Sequence, residues 1–231
     1  MEEKDCLYLY EDEKIRFSFT KRDVDGKNIL KLKNILKKHG YHVEYLSYVK
    51  QIHSNLIKEV TKHNIQILTE ADGIITNDKN IPIVIFTADC VPIIFYDKIN
   101  KVVALAHAGW RGTYSEIAKK VVEKMLNKYN CKRENINVFF APHIRQDNYE
   151  VSLELIEKFR KFNIQDYFKV INKKYYLNLE KINKENLLKS GILEKNIKSS
   201  KLCTVRNNDK FYSYRKDKKT DKRIATIIEL K

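Results

Sequence analysis

The chain has 231 residues, 43% of them hydrophobic, and four scattered cysteines that form no CxxC pair. We expect residues 1–231 to form one domain, because this length and apolar content can build a core without disulfide bonds. The charged start argues against a signal peptide, and no apolar run is long enough to cross a bilayer. We therefore predict a cytoplasmic protein without membrane contacts, whose reduced thiols can serve as metal ligands or nucleophiles.

The formal net charge of +15 raises the question of nucleic-acid binding. Arginine occurs at only nine positions, and lysine, which supplies most of the basic excess, is spread along the whole chain. A solvated lysine surface that attracts anions without specificity accounts for this pattern. We expect no specific nucleic-acid partner, and a basic nucleic-acid-binding protein is kept as the non-enzymatic alternative.

The first eighty residues carry alternating and helical apolar patterns in turn. Ile29, Leu32 and Leu36 have helical spacing, and Gly40 follows where a helix commonly ends. The predicted elements of this part are two edge strands within 7–20, a helix over 28–39, a strand over 43–52 and a short strand entered from a turn within 71–76.

In the second half, Thr113 and Glu116 have the spacing of a capping box, which predicts a helix over the following residues with Arg111 just before it. The other predicted elements are a strand over 138–140, helices over 152–162 and 178–190, and strands over 197–204, 211–214 and 224–230. Strands and helices are mixed without strict alternation, which predicts an α+β (mixed α/β) fold: a layered sandwich of mixed β-sheets flanked by helices.

Two apolar runs on either side of residues 97–100 predict a β-hairpin, because Asp97 and Asn100 are typical turn residues. If Tyr96 faces Lys101 across a four-residue loop, Cys90 lies directly opposite His107. Directly opposed residues share a face, with β-carbons about 4.5–5.5 Å apart, so a thiolate and an imidazole there can bind one metal ion. A slip of one residue would separate them.

His53 is the best candidate for a third ligand. Two imidazoles and one thiolate suit zinc or copper, and three protein ligands leave one position of a tetrahedral ion open, as catalytic sites require. On these residues alone the metal site would be a weak prediction, because a cysteine and a histidine on facing strands are core residues more often than ligands.

Two longer motifs decide between these interpretations, Thr87-Ala-Asp-Cys-Val-Pro92 and His107-Ala-Gly-Trp-Arg-Gly112. Together they resemble the multicopper polyphenol oxidase family, also called the laccase-domain or YfiH-like family. The resemblance runs from about residue 15 to the end and includes weaker motifs at 19–22, 51–53, 71–76, 149–151, 203–204 and 211–215. It implies a metal site of His53, Cys90 and His107, with zinc as the first choice and copper as the alternative.

The resemblance also implies an activity. Members of the family are similar in cleaving adenosine, inosine, guanosine or methylthioadenosine with phosphate, and in deaminating adenosine. The implied partners are therefore a purine nucleoside and phosphate, while the oligomeric state is left open. Copper-dependent polyphenol oxidation ranks lower, because three ligands do not supply the several copper centres that dioxygen reduction requires.

Three further residues have expected roles in this chemistry. Arg111, with the backbone N–H groups from Gly112 onward, has the character of a phosphate site, and Arg215 is a second candidate for contact with phosphate. Asp89 is either the proton carrier of the reaction or a structural hydrogen-bond acceptor.

A rival hypothesis is a cysteine hydrolase, with Cys90 as the nucleophile and His107 as the base. The implied fold is also similar to that of a deamidating bacterial toxin domain, which favours this alternative. An amidase acting on cell-wall precursors is a further alternative, which the metal site would support as well.

Overall fold

The protein is described by a computed structural model that covers residues 1–65 and 67–231. Its β-strands form two six-stranded sheets and one three-stranded sheet. In chain order the strands are β1 Glu2–Glu3, β2 Leu7–Glu11, β3 Ile15–Thr20, β4 Ser47–Tyr48, β5 Ile57–Glu59, β6 Gly73–Thr76, β7 Ile83–Thr87, β8 Val91–Asp97, β9 Val102–Ala108, β10 Asn137–Phe140, β11 Glu150–Val151, β12 Phe168–Ile171, β13 Lys174–Leu177, β14 Ile197–Ser199 and β15 Ile224–Leu230.

The α-helices are short to medium in length. They are α1 Ile29–Lys38, α2 Trp110–Tyr114, α3 Ile117–Tyr129, α4 Leu153–Phe159 and α5 Leu179–Lys189. Single 3₁₀ turns occupy Val43–Tyr45, Gln146–Asn148, Arg160–Phe162 and Glu194–Asn196. Among the described residues, no helix has both the length and the apolar character needed to cross a membrane.

The first sheet has the strand order β1-β2-β3-β15-β7-β4, and the second has the order β14-β10-β8-β9-β6-β5. Their inner faces pack against each other, with Ile85 and Ile228 of the first sheet in one buried cluster with Ile94 and Leu105 of the second. Burial of these side chains is the main stabilising term of the sandwich, at about 1.5–3 kcal/mol for each large side chain.

Helices cover the two outer faces. Helix α1 places Leu32 and Leu36 against Ile227 on the outer face of the first sheet. Helices α3 and α5 cover the outer face of the second sheet, and the small third sheet, β11-β13-β12, lies on the same side. The predicted mixed-sheet sandwich flanked by helices is confirmed.

The β8–β9 hairpin forms as predicted, but its register is wrong by two residues. Asp97 pairs with Val102, and Pro92, not Cys90, lies opposite His107. The reason is the carboxylate of Asp97, which accepts the N–H groups of Ile99 at 2.8 Å and Asn100 at 3.0 Å. Asp97 therefore ends strand β8 and starts the turn, instead of lying inside the loop.

A shift of two residues preserves the face to which each side chain points, because the period of a strand is two. Cys90 lies one residue before the first ladder pair, Val91 with Ala108, so it is not a direct partner of His107, but its sulfur and a His107 ring nitrogen lie within 4.8 Å of each other. The expectation that they share a face holds, whereas the expected directly opposed pair does not form.

Other expectations need correction. Strand β3 is an interior strand buried along its length, since β15 pairs with its outer side. Only Ser47–Tyr48 of the predicted strand 43–52 forms a strand. Further along, the Gln51 side chain donates to the Phe86 carbonyl and accepts from the Phe86 N–H, which replaces backbone-to-backbone hydrogen bonds. Residues 211–214 form no strand, since Ser213 N–H donates to the Asp217 carboxylate.

The predicted capping box also fails. Thr113 lies inside α2, and its hydroxyl accepts a hydrogen bond from Asn183 at 2.9 Å. Glu116 itself takes the N-cap position of α3, with a left-handed φ of 56° and no side-chain capping bond. Arg111 is consequently the second residue of α2 and does not precede a long helix.

We expect Asp97→Ala to lower the free energy of unfolding by about 1–3 kcal/mol, because two turn N–H groups lose their acceptor. Urea denaturation followed by circular dichroism measures this change. The exposed neighbour provides the control: Ile99→Ala should stay within about 0.5 kcal/mol of the wild type. Equal stability of the Asp97 variant and the wild type would contradict this account of the register.

Candidate metal centre

A cleft of about 910 Å³ lies at the end of the β8–β9 hairpin and is lined by His53, Cys90 and His107. Strand β9 carries His107, the residue before β8 is Cys90, and a loop between β4 and β5 carries His53. Its wall also includes apolar and aromatic side chains such as Phe86 and Trp110. A concave site with a few convergent polar groups is the usual form of a small-molecule site.

The sulfur of Cys90 and one ring nitrogen each of His53 and His107 lie within 4.8 Å of one another. The two imidazole rings meet edge to face, with centroids 4.9 Å apart. Gly109 allows this approach, since a β-carbon there would lie 2.9 Å from the sulfur and 3.3 Å from the His53 ring. His107 is 4% exposed whereas His53 is exposed, so the cluster is open to solvent on one side.

Asp72 holds two of the three groups, His53 and His107, in place and was missed by the sequence analysis. One of its carboxylate oxygens accepts the His107 Nδ1–H at 2.8 Å and the His53 backbone N–H at 3.0 Å. Its backbone carbonyl accepts the His107 N–H at 2.8 Å. The loop bearing His53 and the strand bearing His107 are thus joined through one buried aspartate. Its only signal in the sequence was its place in the motif at 71–76.

Hydrogen bonding also fixes the state of His107. Burial disfavours the Asp72 carboxylate, but the hydrogen bonds from His107 and Ser54 outweigh burial and lower its pKa to about 2. An ionised carboxylate only accepts, so Nδ1 of His107 carries a proton and Nε2 is left to act as a ligand. This carboxylate–histidine pair is the usual support of a metal-binding imidazole.

The surroundings of Cys90 favour its thiolate form. Burial raises the pKa of the Cys90 thiol, but the charge of His107 and hydrogen bonds from both histidines lower it to about 6. The pKa of His107 is lowered by burial and raised more strongly by the Cys90 and Asp72 charges, to about 9. In the absence of an ion, the two side chains therefore form a thiolate–imidazolium pair at neutral pH.

The donor set fits a metal ion. A thiolate and two imidazoles are ligands that zinc and copper prefer, and three protein ligands are typical of catalytic zinc. Cys131 provides a contrast within the same chain, since burial and Asp97 raise the pKa of its thiol to about 12. The cleft cysteine is thus the better ligand of the two on electrostatic grounds.

Asp89 lines the cleft, but both of its carboxylate oxygens have hydrogen-bond donors. One accepts the Thr204 hydroxyl, and the other accepts the Arg215 backbone N–H at 2.7 Å. Its carbonyl accepts the Ile144 N–H at 2.9 Å, and its φ of 83° is left-handed. These contacts give Asp89 a structural role, since they join three loops around Cys90, while its role as proton carrier stays a prediction.

Arg111 and Arg215 both line the cleft. The Arg111 guanidinium lies 4.4 Å from the centre of the Trp110 ring, and Arg215 lies 5.5 Å from that of Tyr149. The Thr113 N–H donates to the Gly109 carbonyl within α2, so the expected row of free N–H groups from Gly112 onward does not form. An anion here would depend on the two guanidinium groups.

A family profile described as multi-copper polyphenol oxidoreductase laccase matches residues 13–231. The chain belongs to this family. A Clostridium acetobutylicum relative named purine nucleoside phosphorylase CA_C1699 is 33% identical over 192 residues, which is 83% of this chain and 79% of the relative. Purine nucleoside phosphorylase YlmD of Bacillus subtilis is 30% identical over 195 residues, or 80% of this chain and 70% of that protein.

The fold of this laccase-family chain is also found in a solved structure. The crystal structure of the Bacillus licheniformis hypothetical protein YfiH superposes with a TM-score of 0.92 at 26% sequence identity. The superposition covers 99% of this chain and 97% of YfiH. The mixed-sheet architecture therefore extends over the whole length of both proteins.

We expect Asp72→Asn to weaken zinc binding by about 10–100-fold, because an amide no longer fixes the charge and orientation of His107. Competition with a chromophoric zinc chelator measures the dissociation constant. Asp221→Asn, at an exposed position outside the cleft, should bind zinc as the wild type does. Unchanged zinc affinity of the Asp72 variant would show that Asp72 does not support a metal ligand.

Proposed function

We propose that the chain is a metal-dependent purine nucleoside phosphorylase that also deaminates adenosine. The single observation that carries this proposal is the convergence of His53, Cys90 and His107 on one side of a cleft that also contains two guanidinium groups. The names of the two relatives support the reaction class. The expected substrates are adenosine, inosine, guanosine and methylthioadenosine.

In this proposal His53, Cys90 and His107 hold zinc, with copper as the alternative. The bound ion would supply a Lewis acid at the floor of the cleft. The protein contributes the orientation of its ligands through Asp72 and an open side facing the cleft. Residues 1–231 act as one catalytic domain.

Phosphorolysis forms a bond between a phosphate oxygen and ribose C1′ and breaks the bond from C1′ to the purine nitrogen. The leaving base must gain a proton as it departs. Arg111 and Arg215 are the proposed phosphate ligands, because guanidinium groups bind phosphate through paired N–H donors. No carboxylate of the described residues lies within 4.0 Å of either guanidinium, and Arg215 Nη1 donates to the Glu150 carbonyl at 3.0 Å, so both groups are available to an anion.

Deamination adds water to purine C6 and releases ammonia, and it needs a group that carries protons between them. Asp89 is the acidic residue among the described residues that line the cleft. Its hydrogen bonds to Thr204 and Arg215 hold it beside Cys90, and we propose Asp89 as the carrier in deamination. In phosphorolysis the leaving base gains the proton that the attacking hydrogen phosphate loses, so the reaction balances without a separate carrier.

One observation favours a second function. The lowered pKa of the Cys90 thiol and the raised pKa of His107 are the features of a cysteine hydrolase, in which a thiolate attacks a carbonyl carbon. An amidase acting on cell-wall precursors belongs to this alternative. Polyphenol oxidation ranks lower, because the described residues contain one cluster with ligand spacing and oxidase chemistry needs several.

We expect the purified zinc-loaded chain to convert adenosine and phosphate to adenine and ribose 1-phosphate, with some inosine. His107→Gln should abolish both products, because the cleft loses one ligand and its link to Asp72. His63→Gln, at an exposed histidine outside the cleft, should keep full activity. Chromatography of the purine products measures both reactions.

The same assay separates the two functions. Activity that survives a strong chelator but is lost on thiol alkylation would refute the metal-dependent proposal and favour the cysteine hydrolase. Full turnover by the His107 variant would refute both.

We expect Arg111→Gln to lower kcat/KM for phosphate by about 10–100-fold, the size of a lost hydrogen bond between charged groups. Deamination uses water instead of phosphate and should be unchanged, which gives a control within one protein. Arg206→Gln, at an exposed arginine outside the cleft, should alter neither rate. Equal loss of both reactions would show that Arg111 supports the fold of the site and does not bind phosphate.

A further inference from the structure

The cleft carries more positive charge than one phosphate requires. Five basic residues line it, whereas Asp89 is the acidic residue among its described lining. Lys50 is paired with Glu70 at 2.8 Å, which leaves four cations, Lys27, Arg111, Arg215 and Arg223, without a carboxylate within 4.0 Å in residues 1–65 and 67–231. A concave, low-dielectric wall of one sign concentrates anions.

Lys27 and Arg223 form a pair of their own at the side of the cleft next to α1. One carboxylate oxygen of Asp25 accepts the backbone N–H of Lys27 and that of Arg223, both at 3.1 Å. The Gly26 N–H donates to the Arg223 carbonyl at 2.7 Å. A β-carbon on Gly26 would lie 2.7 Å from the Ala225 nitrogen, so the two segments are in direct contact. The backbones of these two basic residues are therefore held side by side although they are 196 positions apart in the sequence.

The Arg223 guanidinium is positioned in advance of any ligand. Its Nη1 donates to the carbonyls of Thr220 at 2.7 Å and Lys222 at 2.8 Å, and the group lies 6.0 Å from the centre of the Tyr214 ring. These contacts use one nitrogen and leave the other donors of the planar group unused. Because no carboxylate of the described residues lies within 4.0 Å of this guanidinium, the group is available to bind an anion.

This pair lies on different chain segments from the proposed ligands of the attacking phosphate. Arg111 follows strand β9 and Arg215 lies over Tyr149, whose hydroxyl is close enough to Cys90, Arg111 and Arg215 to respond to their charges. Lys27 precedes α1 and Arg223 precedes β15, on segments joined through Asp25. The cleft thus has one basic pair beside the thiolate and a second pair beside α1.

We propose that Lys27 and Arg223 form a second anion subsite that takes the 5′-phosphate of a nucleoside monophosphate. This inference rests on the proposed function, since it assumes that the nucleoside occupies the space between the two pairs. A phosphate monoester carries nearly two charges, and a lysine with an arginine is the usual set of ligands for it. The volume of about 910 Å³ lies at the upper end of small-molecule sites, which is enough for a nucleotide.

Isothermal titration calorimetry on the full-length zinc-loaded chain tests this subsite with three probes: adenosine, adenosine 5′-monophosphate and inorganic phosphate. The wild type should bind the monophosphate at least about tenfold more tightly than adenosine, the size of a charged hydrogen bond. The double variant Lys27→Gln/Arg223→Gln should lose this difference and bind adenosine as the wild type does. The matched double variant Lys62→Gln/Arg206→Gln, at exposed positions outside the cleft, should retain it.

Two results would overturn the proposal. The first is equal affinity of the wild type for adenosine and its monophosphate, or a difference that the Lys27/Arg223 variant keeps. The second is a Lys27/Arg223 variant that loses affinity for inorganic phosphate but not for the monophosphate, because Lys27 and Arg223 would then bind the attacking phosphate. Because the readout is binding, failure of the phosphorylase proposal would appear separately, as intact nucleotide binding without turnover of adenosine.

Discussion

The candidate site depends on one buried carboxylate. Asp72 accepts from the His107 ring, from the backbone of the loop that carries His53, and through its carbonyl from the His107 backbone. A buried charge of this kind is stable only when its hydrogen bonds are satisfied, and the loop supplies them. The same bonds that compensate for the burial of Asp72 therefore fix two of the three candidate ligands. The hydrogen bonds of Asp72 thus determine both the local fold and the position of the two histidines.

The sandwich could be predicted because its core strands have strong local signals. Residues 91–97 and 102–108 are apolar runs around a polar turn, and they form the hairpin at the centre of the second sheet. The error in their register came from the turn, where the Asp97 side chain takes the place of a loop residue. Because the error was an even number of residues, the face shared by Cys90 and His107 was predicted correctly while their direct pairing was not.

Features that arise from contacts between distant segments could not be predicted in this way. The Gln51 side chain forms hydrogen bonds with the Phe86 backbone that a neighbouring strand would otherwise form. The Asp25 carboxylate joins Lys27 to Arg223, which is near the other end of the chain. Neither contact corresponds to a periodic pattern of residues in the sequence. The role of Asp72 was hidden for the same reason, because a buried aspartate that accepts several N–H groups has no pattern that distinguishes it from a turn residue.

The cleft contains both the candidate metal ligands and the guanidinium groups, and its charge affects both. A thiol becomes a ligand only by losing its proton, and the pKa of Cys90 falls because the charge of His107 and hydrogen bonds from both histidines outweigh its burial. The guanidinium groups that line the same cleft attract anions such as phosphate, but they cannot bind a metal because they have no free lone pair. The thiolate and the two imidazoles can thus bind a metal cation while the guanidinium groups of the same cleft bind an anion.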